Sequence, residues 1–170
     1  MAARGETDYA DAAMPHISSR VFGVELAPST DPSRVLHVVI LHDDHSAFVR
    51  AARMLATTFS GRPEETRLRS SAWQFEELSR TVWLNQSIDD APQANVIVIS
   101  TSAGGELPPS VSRWLMKCFS LRQNLPTAVV ALCDSLDGLE VPWRRLLHEA
   151  TASAGFDFLE AGTPLLAPAA

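Results

Sequence analysis

The chain has 170 residues, which fits a single domain with a sizeable core. Fourteen Lys and Arg against twenty Asp and Glu give a formal net charge of −6. This acidic balance argues against a dedicated nucleic-acid-binding protein, whose affinity depends on cations that neutralise phosphates. The two cysteines, Cys118 and Cys133, are too few for a disulfide scaffold or a four-cysteine zinc site. No apolar run approaches the roughly 18 residues of a membrane span, so we expect no membrane partner. Residues 1–19 lack the apolar core of a signal peptide, so we expect a cytoplasmic protein.

The N-terminal 33 residues differ in composition from the rest of the chain. Residues 1–33 are polar and rich in Ala, Ser, Pro and Asp, which predicts a flexible arm. Within it, only the apolar segment 21–26 could form a short strand or dock on the body. We expect that body to be one α/β domain over residues 34–162, followed by a short tail at 163–170.

The first half of the body predicts a buried strand, a helix and an edge strand. Residues 35–41 are almost continuously apolar and β-branched, as expected of a strand buried on both faces of a parallel sheet. The next apolar residues recur at helical spacing, namely Phe48, Ala52, Leu55 and Phe59. Asp44 or Ser46 can cap this helix. Residues 66–73 alternate only in part and predict a half-exposed edge strand, on which Arg67 and Arg69 discourage pairing with other strands.

The second half of the body repeats the strand–helix alternation. Buried strands are predicted at 95–100 and 127–132, and a short last strand at 155–159. A helix from about 75 to 86 is expected to bury Phe75, Leu78 and Val82, with Trp83 at the margin of this stripe. A helix opened by Pro108 and Pro109 is expected to bury Val111, Trp114, Leu115, Cys118 and Phe119. The last helix is expected to bury Trp143, Leu146, Leu147 and Ala150.

This order of elements predicts the fold and the place of a site. Five parallel strands joined by right-handed helical crossovers give a three-layer α/β sandwich with strand order 2-1-3-4-5, as in flavodoxin-like folds. Ligands of such sheets bind outside the carboxyl ends of the strands, where the strand order switches. That edge gathers the candidate site residues, which are His42, Asp43, Asp44, Ser100, Thr101, Ser102, Gly104, Gly105 and Asp134.

The acidic pair at the end of the first strand admits two interpretations. Asp43 and Asp44 could hold Mg²⁺ through their carboxylate oxygens, with Asp134 as a third ligand. Alternatively, one aspartate caps the helix and the other faces water. The sequence favours the second interpretation, and it favours Mg²⁺ over a transition metal held by His42 and His45 with the aspartates.

Two stretches resemble the receiver domain of response regulators. Residues 38–48 (VVILHDDHSAF) resemble the family's opening strand, acidic pair and helix start, and residues 154–159 (AGFDFL) are similar to its ending. The resemblance implies a receiver-like fold over about residues 34–160. A receiver accepts a phosphoryl group on an aspartate after the third strand, where this chain has Ser100 and Thr101, and the family's lysine is replaced by residues 160–162. The resemblance therefore implies a pseudo-receiver without phosphorylation, a non-catalytic signalling or interaction module that binds a protein partner or a second copy of itself.

A second resemblance keeps an enzymatic alternative open. Residues 100–108 and 112–115 are similar to the third-strand loop and helix of the flavodoxin and FMN reductase superfamily, which implies a small oxidoreductase that binds FMN or a nucleotide. The turn at 42–45 places two carboxylates where that family holds the flavin phosphate, which disfavours FMN. We therefore expect no resident cofactor, apart from the possible Mg²⁺.

A hydrolase is the remaining alternative at the same edge. Ser100, His42 and Asp134 could imitate a catalytic triad, but Ile99 and Thr101 flank the serine where a nucleophile elbow has glycines. The sequence favours instead a Ser100 hydroxyl that satisfies the loop backbone.

Overall fold

The computed structural model describes residues 35–59, 67–102, 105–121, 127–133 and 142–161. The predictions for the arm 1–33, the tail 163–170, Gly104 and Asp134 lie outside these residues. The described elements are β1 (Val35–His42), α1 (His45–Phe59), β2 (Arg67–Gln74), α2 (Thr81–Asp90), β3 (Val96–Thr101), α3 (Pro109–Leu121), β4 (Ala128–Cys133), α4 (Pro142–Ala154) and β5 (Asp157–Ala161). Short 3-10 turns at Glu77–Ser79 and Ala91–Gln93 flank α2.

The five strands form one sheet in the order β2-β1-β3-β4-β5, and every neighbouring pair is parallel. This topology confirms the predicted flavodoxin-like α/β fold. The half-polar β2 lies at an edge of the sheet, as its partial alternation predicted, while the apolar β1, β3 and β4 are interior strands. All carboxyl ends point the same way, so β1 and β3 end side by side, with His42 opposite Ser100.

Helices cover both faces of the sheet and create two cores. On one face, Ala51 and Leu55 of α1 pack against Val38, Ile40 and Val98. On the other face, α2, α3 and α4 pack over the alternate strand residues, including Val39, Ile97 and Val129. Burial on both faces explains why the interior strands are apolar at successive positions rather than at every second one. The inward face predicted for α3 is confirmed, since all five of its residues are buried.

Two helices bury different residues from those predicted. Val82 is 73% exposed, because Arg80 adopts an extended conformation between the turn at Glu77–Ser79 and α2. The helical phase set by Leu78 therefore does not continue into α2, which buries Leu84 instead. Trp83 is half-buried and packs against this core, with its ring 6.4 Å from that of Trp73.

The other difference concerns α4. Leu146 is 51% exposed, because α4 buries a single row of residues four apart, which are Trp143, Leu147 and Thr151. The Thr151 hydroxyl is satisfied inside the helix, where it donates to the Leu147 carbonyl. None of the described helices combines the length and the apolar character needed to cross a membrane.

Candidate functional site

Asp44 begins α1 at the carboxyl edge of the sheet. Its Oδ1 accepts a hydrogen bond from the Ala47 amide at 2.8 Å, which is the contact expected of a helix N-cap. The Ala47 N–H is the main reason why the pKa of Asp44 lies below its usual value, and the Ser102 hydroxyl lowers it further. The predicted capping role of Asp44 is thus confirmed.

Asp43 ties the end of β1 to the end of β3. Its Oδ2 accepts hydrogen bonds from the Thr101 hydroxyl at 2.6 Å and from the Ser102 amide at 2.8 Å. Its Oδ1 accepts the Asp44 amide at 2.9 Å. The carboxylate is half-buried and does not simply face water, because the neighbouring strand supplies donors that satisfy its charge.

Ser100 faces α1 and is fully buried. Its hydroxyl donates to the Ala47 carbonyl at 2.8 Å and accepts a bond from Arg50 at 3.2 Å. Thr101, the next residue, faces the opposite side of the sheet, and it is Thr101 rather than Ser100 that contacts Asp43. The alternation of side chains along β3 therefore separates the two hydroxyls that sequence reasoning had grouped.

The side chain of His42 contacts Asp44 and Phe48 and not the other residues of a catalytic triad that the structure describes. Its Nδ1 lies 3.0 Å from the Asp44 carbonyl, and its ring packs 5.3 Å from that of Phe48. Burial lowers the pKa of His42, and the hydrogen bond to the Asp44 carbonyl and the nearby acidic groups only partly oppose that effect. Within the described part of the chain, Ser100 and His42 make no hydrogen bond with each other, so these two residues do not form the pair that a serine hydrolase requires.

Arg50 is the residue of this site that sequence reasoning missed. Its guanidinium donates to the Ser100 hydroxyl at 3.2 Å, to the Thr101 carbonyl at 3.1 Å and to the Ser102 hydroxyl at 3.4 Å. Arg50 lies on α1 between two fully buried alanines, Ala47 and Ala51. The signal in the sequence is this long cation beside small inward residues, six residues after the acidic cap Asp44.

The contacts above define a carboxyl-edge network of Asp43, Asp44, Arg50, Ser100, Thr101 and Ser102. The Ser102 hydroxyl also lies 3.2 Å from Asp44 Oδ1, so the network closes on itself. The end of β2 joins it through Gln74, whose side-chain amide donates to the Asp43 carbonyl at 3.2 Å. The network contains both signs of charge, and its carboxylates have hydrogen-bond donors. Because its bonds join the ends of β1, β2 and β3 to α1, it cross-links three strand ends and one helix.

Of the two glycines predicted at this edge, the structure describes Gly105, and its surroundings do not require a glycine. A Cβ on Gly105 would meet nothing within 4 Å, so no close approach of another group demands glycine there.

The acidic pair is a poor Mg²⁺ site as it stands. Both oxygens of Asp43 and Oδ1 of Asp44 already accept hydrogen bonds, and Arg50 supplies positive charge beside Asp44. Over residues 35–161, apart from the undescribed gaps, no three His, Cys, Asp or Glu side chains cluster as metal ligands. Mg²⁺ would have to displace existing bonds to gain the oxygens it prefers.

Comparison with known proteins adds little to this geometry. No protein-family model matches the chain, and no curated protein matches it. Among solved structures it is similar to rubredoxin oxygen:oxidoreductase from the anaerobe Desulfovibrio gigas, with 18% sequence identity and a TM-score of 0.47. The match covers 74% of this chain and 30% of that chain, so this chain spans less than a third of that protein. A likeness this distant carries no argument about function.

Proposed function

We infer that the protein is a non-catalytic, receiver-like interaction module that works without phosphorylation. The single observation that carries this inference is the state of Ser100, which is fully buried and hydrogen-bonded to the Ala47 carbonyl and Arg50. A receiver-like phosphoryl transfer needs a carboxylate nucleophile at this strand end. Here the position holds a hydroxyl whose hydrogen bonds are already made.

The carboxyl-edge network supports the same function. A receiver switches when a phosphoryl group arrives at this edge, whereas this network fixes the strand ends by bonds within the chain. Arg50 already contacts all three residues 100–102, so the edge is held in one arrangement. Such a module acts by presenting a fixed surface to a partner, and Mg²⁺ and FMN have no part in the proposed mechanism.

The partner we propose is a second copy of this chain. Four large apolar side chains at the β4–β5 end of the sheet are at least half exposed, namely Met116, Leu121, Leu146 and Leu159. Met116, Leu121 and Leu146 belong to α3 and α4, which contact each other on one face of the sheet, and we call these three side chains the β5-end surface. Leu159 lies on the opposite face, because its partner Val130 belongs to the core under α1. Exposed large apolar side chains on adjacent elements favour association with a partner.

The charges beside this surface favour a symmetric partner. Arg145 and Glu149 pair at 2.9 Å on the exposed side of α4, so the surface carries both signs of charge. In a two-fold dimer the same patch faces itself, and a patch with both signs can then match each charge with its opposite. A partner of one strong charge would gain less from it.

The phosphorylation claim is tested by NMR with acetyl phosphate or beryllofluoride in the presence of Mg²⁺. We expect the amide resonances of residues 100–102 to stay unshifted relative to Mg²⁺ alone. Mg²⁺ alone is the control, because a shift that it causes at Asp43 and Asp44 reports cation binding and not phosphoryl transfer. A specific shift at Ser100 on addition of the phosphoryl mimic would overturn the proposal, as would a yellow preparation that contains stoichiometric FMN.

Self-association is tested by native mass spectrometry and light scattering of the whole chain over a concentration series. Leu146→Glu places a charge in the β5-end surface and should raise the dimer dissociation constant by about tenfold or more. Val82→Glu is the matched control, since Val82 is an exposed apolar residue on α2 and should not affect association. A monomer throughout the series, or equal effects of the two variants, would contradict the proposal.

A further inference from the structure

A second polar site lies away from the carboxyl edge, near the amino ends of β1 and β2. A cavity of about 280 Å³ opens between these two strands and the C-terminal half of α2. Its volume is close to the lower limit for pockets that bind small molecules. Most of the side chains that line it are polar or charged, and the charged ones stand on two opposite walls.

The sheet wall carries the positive charge. His37 and Arg69 are direct partners in the β1–β2 pairing, so their side chains lie on the same face of the sheet. Burial and the nearby Arg69 charge both lower the pKa of His37, which favours its neutral imidazole. Arg69 is therefore the cation of this wall, and His37 is a neutral group that can donate or accept a hydrogen bond.

The helix wall carries the negative charge. Asp89 and Asp90 are the last two residues of α2, and both line the cavity together with Gln86. The C-terminal end of a helix has a partial negative charge, which adds to that of the two carboxylates. This wall therefore attracts a cationic group.

The two walls do not neutralise each other directly. In the part of the chain that the structure describes, neither aspartate makes an ion pair with Arg69, although all three residues line one cavity. Opposite charges that share a cavity without touching can be bridged by a ligand with a charge at each end. An anion alone would be repelled by the two carboxylates, and a cation alone would be repelled by Arg69.

We propose that this cavity binds a small zwitterion of the α-amino acid type, with its carboxylate at Arg69 and its ammonium group toward Asp89 and Asp90. His37 and Gln86 then supply neutral hydrogen-bonding groups for the rest of the ligand. The site is independent of the carboxyl-edge network and of the β5-end surface, so it is tested separately from the proposed function.

The test is a titration of the whole chain followed by NMR and calorimetry, with L-glutamine as the probe. N-acetyl-L-glutamine lacks the cation, and L-glutamine amide lacks the anion, so the three compounds separate the two halves of the site. Free glutamine should bind saturably, shift the amides of residues 37–39 and 69–71, and bind about tenfold more tightly than either blocked compound.

Variants assign each half of the ligand to its wall. Arg69→Met should weaken glutamine and N-acetylglutamine by about tenfold and leave glutamine amide unchanged. Asp89→Asn with Asp90→Asn should weaken glutamine and glutamine amide and leave N-acetylglutamine unchanged. Arg113→Met is the matched control, because Arg113 is exposed on α3 and should change nothing.

The proposal is overturned if glutamine causes no saturable shift in residues 37–39 and 69–71. It is also overturned if the three compounds bind equally, or if Arg69→Met and Arg113→Met have equal effects. Circular dichroism of each variant checks that it is folded, as we expect from the exposure of Arg69, Asp89 and Asp90.

Discussion

The charged groups at the carboxyl ends of the strands are paired within the chain, whereas those at the cavity near the amino ends are not paired with each other. At the carboxyl edge, Asp43 binds donors of β3, and Arg50 binds oxygens of the same strand end. At the cavity near the amino ends, Arg69 and Asp89 line one space without forming an ion pair. Polar groups that satisfy one another stabilise a fold, whereas polar groups that stay apart remain able to bind a ligand. The cluster that is more conspicuous in the sequence thus satisfies its own charges, and the less conspicuous cluster is the one that we propose to bind a ligand.

Breaking the carboxyl-edge network at Thr101 should give the largest effect. Thr101→Val removes the hydroxyl that donates to Asp43 at 2.6 Å and leaves a half-buried carboxylate without one of its donors. We expect the free energy of unfolding to fall by about 1.5–3 kcal/mol, the usual range for a hydrogen bond to a charged group. Urea unfolding measures it, with Thr81→Val at an exposed position as the control. A loss as small as that of the control would mean that the Asp43–Thr101 bond contributes little.

Removing the cation of the network should have the next largest effect. Arg50→Met keeps most of the side-chain length but deletes the donors to Ser100, Thr101 and Ser102. The free energy of unfolding should fall by about 1–2 kcal/mol, because the Thr101 carbonyl loses its guanidinium partner. Hydrogen exchange of the residue 100–102 amides is the second measurement, and faster exchange there is expected. Unchanged exchange would show that Arg50 does not fix this strand end.

The pH dependence of stability should reveal the cap at the same edge. The pKa of Asp44 is lowered in the folded protein, mainly by the Ala47 N–H. The carboxylate therefore stabilises the fold above the pKa of the unfolded chain, about 4, and this contribution is lost as pH falls through the lower folded-state pKa.

Two substitutions at this position separate charge from capping. Asp44→Asn retains a capping oxygen but loses the stabilising charge. Its melting temperature should therefore lie below that of the native chain above about pH 5 and converge with it in acid. Asp44→Ala removes the cap as well and should melt a few degrees lower at every pH. Parallel melting curves for the native chain and the Asn variant across this pH range would argue against the charged cap.

The smallest effect is expected at the other edge. Arg69→Met should change the free energy of unfolding by no more than about 0.5 kcal/mol, because Arg69 is exposed and makes no ion pair with the aspartates of the cavity. The same substitution type at Arg50 and Arg69 therefore compares the two edges directly. Equal losses in urea unfolding would remove the distinction between a structural network and a free site.

Local patterns in the sequence were sufficient for the strands and for most helix faces. The runs at 35–41, 95–100 and 127–132 gave strands that begin and end within one residue of the observed ones, because burial on both faces requires an unbroken apolar run. Val82 was predicted wrongly, since the extended Arg80 resets the helical phase and nothing near it in the sequence marks that break.

The sequence by itself determined the fold class, the strand order and the edge at which Asp43, Asp44 and the hydroxyls of 100–102 meet, because periodicity and parallel connections are local properties. Only the tertiary structure decided that Ser100 faces α1 and that Arg50 reaches across to it. Only the tertiary structure decided, too, that Arg69, Asp89 and Asp90 line one cavity. The residues brought together in these two places are 20 or more positions apart in the chain, and their placement depends on how helices pack on the sheet, which no local pattern specifies.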